Sequence, residues 1–308
     1  MEEETKIKKG LNIYWYYWTV VAFVGFWIVD SFATKYTFNY INIELMISVV
    51  TFLFGFLISI TFSMLLTRTS SLKVALSTEA GRLVSLYLLS KNLGKEFSEK
   101  IRERIDSYTM DTLREYASYE VGRESNYGMY DDINCMELKT QNQRVAADSF
   151  LYILGEFQPT RESLEYITKK RIEWSLKLVN YLLGIILILL LFLNRGDEFT
   201  NTLFIILSTV VIFILLIVED YDNLRIGDYT VNISNSEQIF DLIEKDRYYP
   251  EEIMSRVKLE KGRDYRIGIY DTSLKKERVF RITYNPKLNV KIPEIISKLK
   301  KKNNIKLD

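Results

Sequence analysis

Histidine is absent from the 308-residue chain. Its absence removes imidazole metal ligands, imidazole proton shuttles and every nucleophile–histidine arrangement. A single cysteine, Cys135, allows no intrachain disulfide and no thiolate metal site of its own, and is compatible with a reducing cytosol. No glycine-rich phosphate loop, metal-ligand cluster or nucleophile–base pair is spaced along the chain, so no enzyme is expected. The formal charge of +1 averages an oily third with a highly charged remainder and identifies no partner; no nucleic acid is expected. A composition rich in Lys, Ile, Tyr and Asn with four prolines suggests a prokaryotic origin.

What the chain does have is four uncharged or nearly uncharged apolar runs, at residues 11–29, 45–66, 178–194 and 202–218, set as two close pairs around a long polar block. Each approaches the roughly 17–25 residues that a helix needs to cross about 30 Å of hydrocarbon. Inside lipid every peptide group has to be paired within its own segment, so these runs are expected to be helices. Core helices of a soluble protein are the competing use, but four runs of this length are rare there. The first run lacks the small-residue cleavage pattern of a signal peptide and is read as retained. The fold expected is a mainly α membrane protein: four transmembrane helices extended into a cytoplasmic helical domain, with a small α+β C-terminal appendage. The divisions fall at 1–66 (first helix pair), 67–175 (cytoplasmic domain), 176–218 (second pair), 219–243 (post-membrane segment) and 244–308 (appendage).

Orientation follows from the cations beside the spans. Lys6, Lys8 and Lys9 precede the first run, Arg68 and Lys73 follow the second, and Lys169, Lys170, Arg171 and Lys177 lead to the third; only Lys35 and Arg195 lie in the short connections. This basic excess places both termini and both polar blocks in the cytoplasm of a multi-pass cell-membrane protein. Tyr14, Trp15, Tyr16, Tyr17 and Trp18 form an inner aromatic belt, with Phe26 and Trp27 near the outer end.

In the polar block, Leu72, Leu76, Leu83, Leu86 and Leu89 recur at helical spacing and continue the second span until Gly94 ends it. A second helix is expected over 95–121, a third over roughly 136–156, and 161–177 is expected to run unbroken into the third span. In the tail, 229–233 alternates like a strand, 236–245 is a short capped helix, 264–270 and 278–284 form a hairpin, and 292–302 is a basic helix. The run Lys298, Lys300, Lys301 and Lys302 is read as a solvated end.

Three local patterns sit in a fixed order against the spans. Ser77-Thr78-Glu79-Ala80 with Arg82, Leu83, Leu86 and Tyr87 follows the second; Glu156, Pro159 and Arg161 precede the third; Asp222-Asn223-Leu224-Arg225-Ile226-Gly227 follows the fourth. With the span arrangement they resemble the bestrophin-like family of prokaryotic four-span membrane proteins, over about residues 10–243. The family's third pattern is usually Asp-Arg-Pro-Phe-Ser-Gly, of which only the ends match here. The resemblance implies a homo-oligomeric ion pore, a pentamer, an aromatic neck at Phe52 and Phe56, and an acidic calcium clasp at Glu219, Asp220 and Asp222. No other cofactor is expected, and the EF-hand spacing is absent.

Independently of family, Glu44, Ser48, Thr51, Gly55, Ser59 and Phe62 fall on one narrow stripe of the second span, with Phe52 at its edge and Phe56 beside it. Such a face suits close packing, through the small-residue ladder Gly55, Ser59 and Ser63, or the wall of a pore. If it lines a pore, the phenylalanines are a hydrophobic constriction and Glu44 a ring of carboxylates at the mouth, with Asp30 at similar depth. Acidic rings favour cations, whereas the bestrophin resemblance leans towards anions. Glu79 and Arg82, one turn apart, are expected to pair on a helix surface. The function expected is passive ion permeation through the oligomer, with the lipid bilayer, inorganic ions and further copies of the chain as partners. The alternative is a non-conducting membrane-anchored scaffold or sensor that recruits a cytoplasmic partner.

Overall fold

The structure, a computed structural model, describes residues 14–33, 42–114, 122–223, 228–257, 259–271 and 276–284. Its helices are α1 (Tyr14–Phe32), α2 (Ile43–Leu93), α3 (Lys95–Arg114), α4 (Arg123–Asn134), α5 (Gln141–Gly155), α6 (Phe157–Lys169), α7 (Trp174–Leu193), α8 (Glu198–Asp222) and α9 (Asp228–Leu242). Its strands are β1 (Arg247–Pro250), β2 (Asp264–Asp271) and β3 (Lys276–Thr283). The chain divides into two compact units, residues 1–71 with 170–227 and residues 72–169 with 228–308. The 51-residue α2 contributes its first part to one and its remainder to the other. Three stretches, Ile43–Leu93, Gln141–Leu193 (α5 to α7, interrupted at residues 170–173) and Glu198–Asp222, are long and apolar enough to cross a membrane, and Tyr16–Phe32 is a shorter apolar helix.

In the first unit α1 and α7 both pack along α8. Phe54, Ile58 and Leu65 of α2 meet Leu187 and Leu191 of α7 and Phe204, Val211 and Leu215 of α8 in one apolar cluster. Spacings of three and four residues keep each set on one side of its helix. Phe26 and Phe192 meet the Phe204 ring edge-on, with centroids 5.5 and 5.8 Å apart. Gly184 lets α7 and α8 close: a Cβ there would stand 3.1 Å from Leu215 and 3.2 Å from Val211. The turn between them is fixed by a capping box, in which the Asp197 carboxylate accepts the Thr200 N–H at 2.7 Å and the Thr200 hydroxyl accepts the Asp197 N–H at 3.2 Å.

The second unit has a single core. Leu83 and Leu86 of α2, Phe97, Ile101 and Ile105 of α3, Phe150 and Leu154 of α5, Phe240 of α9, and Tyr248, Tyr265 and Ile267 of the sheet are buried together. The sheet order is β1-β2-β3, with β1 parallel and β3 antiparallel to β2, so that Tyr265 lies between Arg247 and Ile282. Arg266 of β2 binds both Asp106 oxygens on α3, at 2.7 and 2.5 Å. The described residues of the expected appendage thus pack into the core that the helices build. At the end of α9 the chain reverses with Glu244 at φ 54°. There the Lys245 N–H bonds the Phe240 carbonyl at 2.9 Å and the Glu244 N–H bonds that of Asp241 at 3.3 Å. Arg102 closes the same end through the Ile243 and Glu244 carbonyls, at 2.6 and 3.0 Å.

The unbroken α2 and its stop at Gly94, where φ is +128°, match the sequence pattern, as does the β2–β3 hairpin. Several expectations need correcting. The alternating segment 229–233 is not a strand but the start of α9. Buried Ile233, Ser236, Phe240 and Ile243 carry one helical stripe through it. The helix α4 and the strand β1 went unforeseen, and α5 begins at Gln141, where Thr140 and Gln143 form a capping box. The segment 161–177 does not run through: the chain leaves the helix at Lys170 and re-enters it at Trp174. The expected basic helix 292–302, its lysine run and residues 115–121 lie outside the described residues.

Candidate pore-lining site

Within the first unit α2 has two unlike sides. Phe54, Ile58, Thr61 and Leu65 are buried against the bundle. Thr61 is held there by Asn180, whose amide donates to its hydroxyl at 2.7 Å while that hydroxyl donates to the Leu57 carbonyl at 2.9 Å. On the other side Glu44, Ser48, Thr51, Phe52, Gly55, Phe56 and Ser59 are exposed, as are the apolar Leu45, Val49, Leu53 and Ile60. Phe52 and Phe56 are 71% and 57% exposed and stack on each other, with ring centroids 6.5 Å apart and planes 13° from parallel. The Ser48 and Ser59 hydroxyls donate to the Glu44 and Gly55 carbonyls at 2.9 and 2.8 Å, so each proton is satisfied by its own helix and only acceptor lone pairs face outward. Phe62, at the end of the stripe, is half-buried and meets the Tyr221 ring edge-on at 6.3 Å. A Cβ on Gly55 would meet nothing within 4 Å. No contact inside the first unit therefore requires the small residue at that point, in contrast to Gly184.

Charges gather at the helix ends of this unit. Arg195 is 3% exposed and lies 3.3 Å from the Asp30 carboxylate. Its guanidinium covers the Phe192 ring at 3.9 Å and its Nε donates to the Phe192 carbonyl at 3.0 Å. Asp30 is thereby turned into the bundle and does not share the face of Glu44. Around the end of α8, Lys177 stands 2.5 Å from Glu219 and 3.3 Å from Asp222. Arg68 lies 3.6 Å from Asp222, and the Ile172 N–H donates to the same carboxylate at 2.9 Å. The Tyr181 hydroxyl and the Asn223 amide donate to Glu219 at 3.0 and 2.9 Å. Calcium takes six to eight oxygens. Here the Glu219 and Asp222 carboxylates are held by cations and N–H or O–H donors, and among the described residues no group of three or more acidic or thiol side chains is placed to hold a metal ion. The donor set at Glu219, Asp220 and Asp222 does not fit calcium.

The second unit brings two of the sequence patterns together. Glu79, 5% exposed, does not pair with Arg82 on a helix surface: it accepts from Arg161 at 3.1 Å and from the Tyr108 hydroxyl. Arg82 crosses to Glu156 instead, binding its carboxylate at 3.0 Å and also its carbonyl. Two interlocked pairs thus tie α2 to the α5–α6 junction: Glu79–Arg161 is buried, whereas the Arg82 and Glu156 side chains are 23% and 47% exposed. Burial first, and then the Glu79 charge, holds the Tyr108 hydroxyl well above the ordinary tyrosine value. Burial opposes the Arg161 charge, but Glu79 and Tyr108 outweigh it and leave the guanidinium above its ordinary value. Tyr108 was legible only as an apolar position of the helix expected over 95–121 and not as a partner of Glu79, whereas Asn180, polar within an apolar run, was a visible signal.

The profile of the Bestrophin-like domain matches residues 17–235. That range opens in α1 and closes within α9, leaving the sheet outside. The crystal structure of a point mutant of a bacterial bestrophin homologue from Klebsiella pneumoniae is similar at a TM-score of 0.45 and 11% identity, covering 77% of this chain and 100% of that one. No curated protein matches the chain.

Proposed function

The chain belongs to the bestrophin-like family, which includes ion channels and not enzymes, and on that premise we propose that it is a homo-oligomeric ion channel of the cell membrane. In this reading α1, the first part of α2, α7 and α8 span the bilayer, and the basic excess beside them keeps both termini and the second unit in the cytoplasm. Copies close into a ring, a pentamer by family resemblance, with α2 nearest the axis. The observation that carries the reading is the exposed side of α2, where Glu44, Ser48, Thr51, Phe52, Gly55, Phe56 and Ser59 lie away from the bundle contacts.

A lipid-facing side has no use for a carboxylate and two serines, whereas a ring of copies gives them water. Phe52 and Phe56 then form a constriction that stays closed by excluding water, with Phe62 at its lower edge. The Glu44 ring at the mouth biases the pore to cations, unaided by Asp30, which is committed to Arg195. Calcium has no part in this mechanism: Glu219 and Asp222 join α7 and α8 through Lys177. In planar bilayers Phe52→Ala and Phe56→Ala are expected to raise the leak current. Unchanged conductance in both contradicts the neck. Silence from folded oligomer, with function lost on removal of 244–308, would identify the membrane-anchored scaffold instead.

A further inference from the structure

Between α6 and α7 the chain is out of the helix from Lys170 to Glu173, and the first unit pins it there. Asp222 accepts the Ile172 N–H at 2.9 Å, and Arg68 and Lys177 close on the same carboxylate at 3.6 and 3.3 Å. Ile172 packs onto the apolar cluster of the bundle. Its neighbours Lys170, Arg171, Glu173 and Trp174 are exposed, Trp174 by 71%. The cations of this region are therefore sorted. Arg68 and Lys177, with side chains 10% and 14% exposed, are used internally, whereas Arg171 has no ion-pair partner among the described residues. Just beyond, α7 turns apolar, with Leu178, Val179, Leu182 and Ile185 exposed.

We propose that this pinned linker is a headgroup site for an anionic phospholipid, with Arg171 and Lys170 on the phosphate and the Trp174 indole at the boundary with the acyl chains. An exposed guanidinium presents a donor fork that matches phosphate oxygens, and an indole beside an apolar helix prefers the headgroup level. Two cations on a tethered, preorganised loop give selectivity that scattered surface lysines lack, because little ordering is needed on binding. Glu173 stands between them and the tryptophan as the opposing charge, and its side chain makes no capping bond to α7. The inference rests on α7 being a membrane span.

The test counts phosphatidylglycerol and phosphatidylcholine retained by the full-length protein in native mass spectrometry. Wild type keeps phosphatidylglycerol in preference. Each cation is worth roughly fivefold in association with an anionic surface, so Lys170→Gln with Arg171→Gln together lower retention by an order of magnitude or more. Glu173→Gln raises it, and Lys261→Gln, an exposed cation before β2, leaves it unchanged. Equal retention of the two lipids, an undiminished double variant, or displacement of the lipid by inorganic phosphate at low concentration overturns the proposal. A second readout isolates the premise: the difference in quenching by brominated phosphatidylcholine between wild type and Trp174→Phe, in reconstituted protein. No quenching assigned to Trp174 overturns the span reading of α7. Quenching without headgroup preference overturns the lipid site alone.

Discussion

The two units of this chain place their charges in opposite ways. In the first, ion pairs sit at the helix ends, Arg195 with Asp30 at one and Lys177 and Arg68 with Asp222 at another, while Trp27, Phe52, Leu182, Ile185 and Leu189 stand exposed. In the second, Glu79 and Arg161 are 5% and 4% exposed at the heart of the fold, and Arg266 reaches Asp106 beneath the sheet. The first arrangement suits helices solvated by hydrocarbon, where lateral contacts come from shape and mid-helix hydroxyls turn back on their own carbonyls. Thr67 and Thr209 do so. The second brings charge into its core, where a buried pair stabilises little but selects which helices meet.

The largest effect expected from breaking this contrast is at Arg161. Arg161→Leu leaves the Glu79 carboxylate buried without its cation, a loss of about 3–5 kcal/mol. Thermal unfolding of the full chain should register it, and Glu79→Leu with Arg161→Leu should recover much of the loss. Full destabilisation persisting in the double variant would mean that the pair's shape, and not its charge, is what matters. Next comes packing in the first unit. Gly184→Leu drives a side chain into Leu215 and Val211 and should cost about 1–3 kcal/mol or more, read as a lower unfolding temperature in detergent. Gly55→Leu, in open space, should leave that temperature unchanged and alter the oligomer seen by light scattering. An equal loss at both glycines would erase the distinction between the two sides of α2.

Alkali offers a subtler way to sharpen the comparison. Burial, then Glu79, raises the Tyr108 hydroxyl well above its ordinary value of 10.0. The folded state keeps this proton where the unfolded chain gives it up, so the stability it contributes is complete below about pH 10 and is lost as pH rises through the folded value. Tyr108→Phe removes the hydrogen bond to Glu79 and should be less stable near neutrality by about 1–2 kcal/mol. Its further loss between about pH 9 and pH 11 should be shallower than that of wild type, although Tyr248 and Tyr249, raised mainly by burial, keep part of the slope. Parallel denaturation curves for the two proteins across that range would contradict the assignment to Tyr108.

Much of this architecture was legible in the sequence because hydrophobic length and period are local signals. The apolar runs, the continuity of α2 up to Gly94 and the β2–β3 hairpin are of that kind. The partners of the charged residues were not legible. Glu79 and Arg82 look like a surface pair at one-turn spacing, and only the burial of Glu79 against α6 shows that each has a partner across the fold. The break at Lys170 is likewise invisible locally, since it is held by Asp222, far along the chain. The reading of 229–233 as a strand failed because a five-residue alternation is too short to separate from the edge of a helical stripe. On the candidate site, the sequence placed the polar stripe of α2 on one face, but not that Phe62 turns to Tyr221 or that Asp30 is withdrawn by Arg195.

The most direct test of the pore is single-channel recording of purified protein in planar bilayers under a KCl gradient, with Glu44→Gln beside wild type. Discrete currents with a cation-selective reversal potential, shifted towards zero in the variant, are expected if the exposed side of α2 lines the pore with Glu44 at its mouth. Currents with the same reversal potential in both proteins would remove Glu44 from the pathway, and lasting silence from well-folded oligomer across voltage would contradict the channel itself.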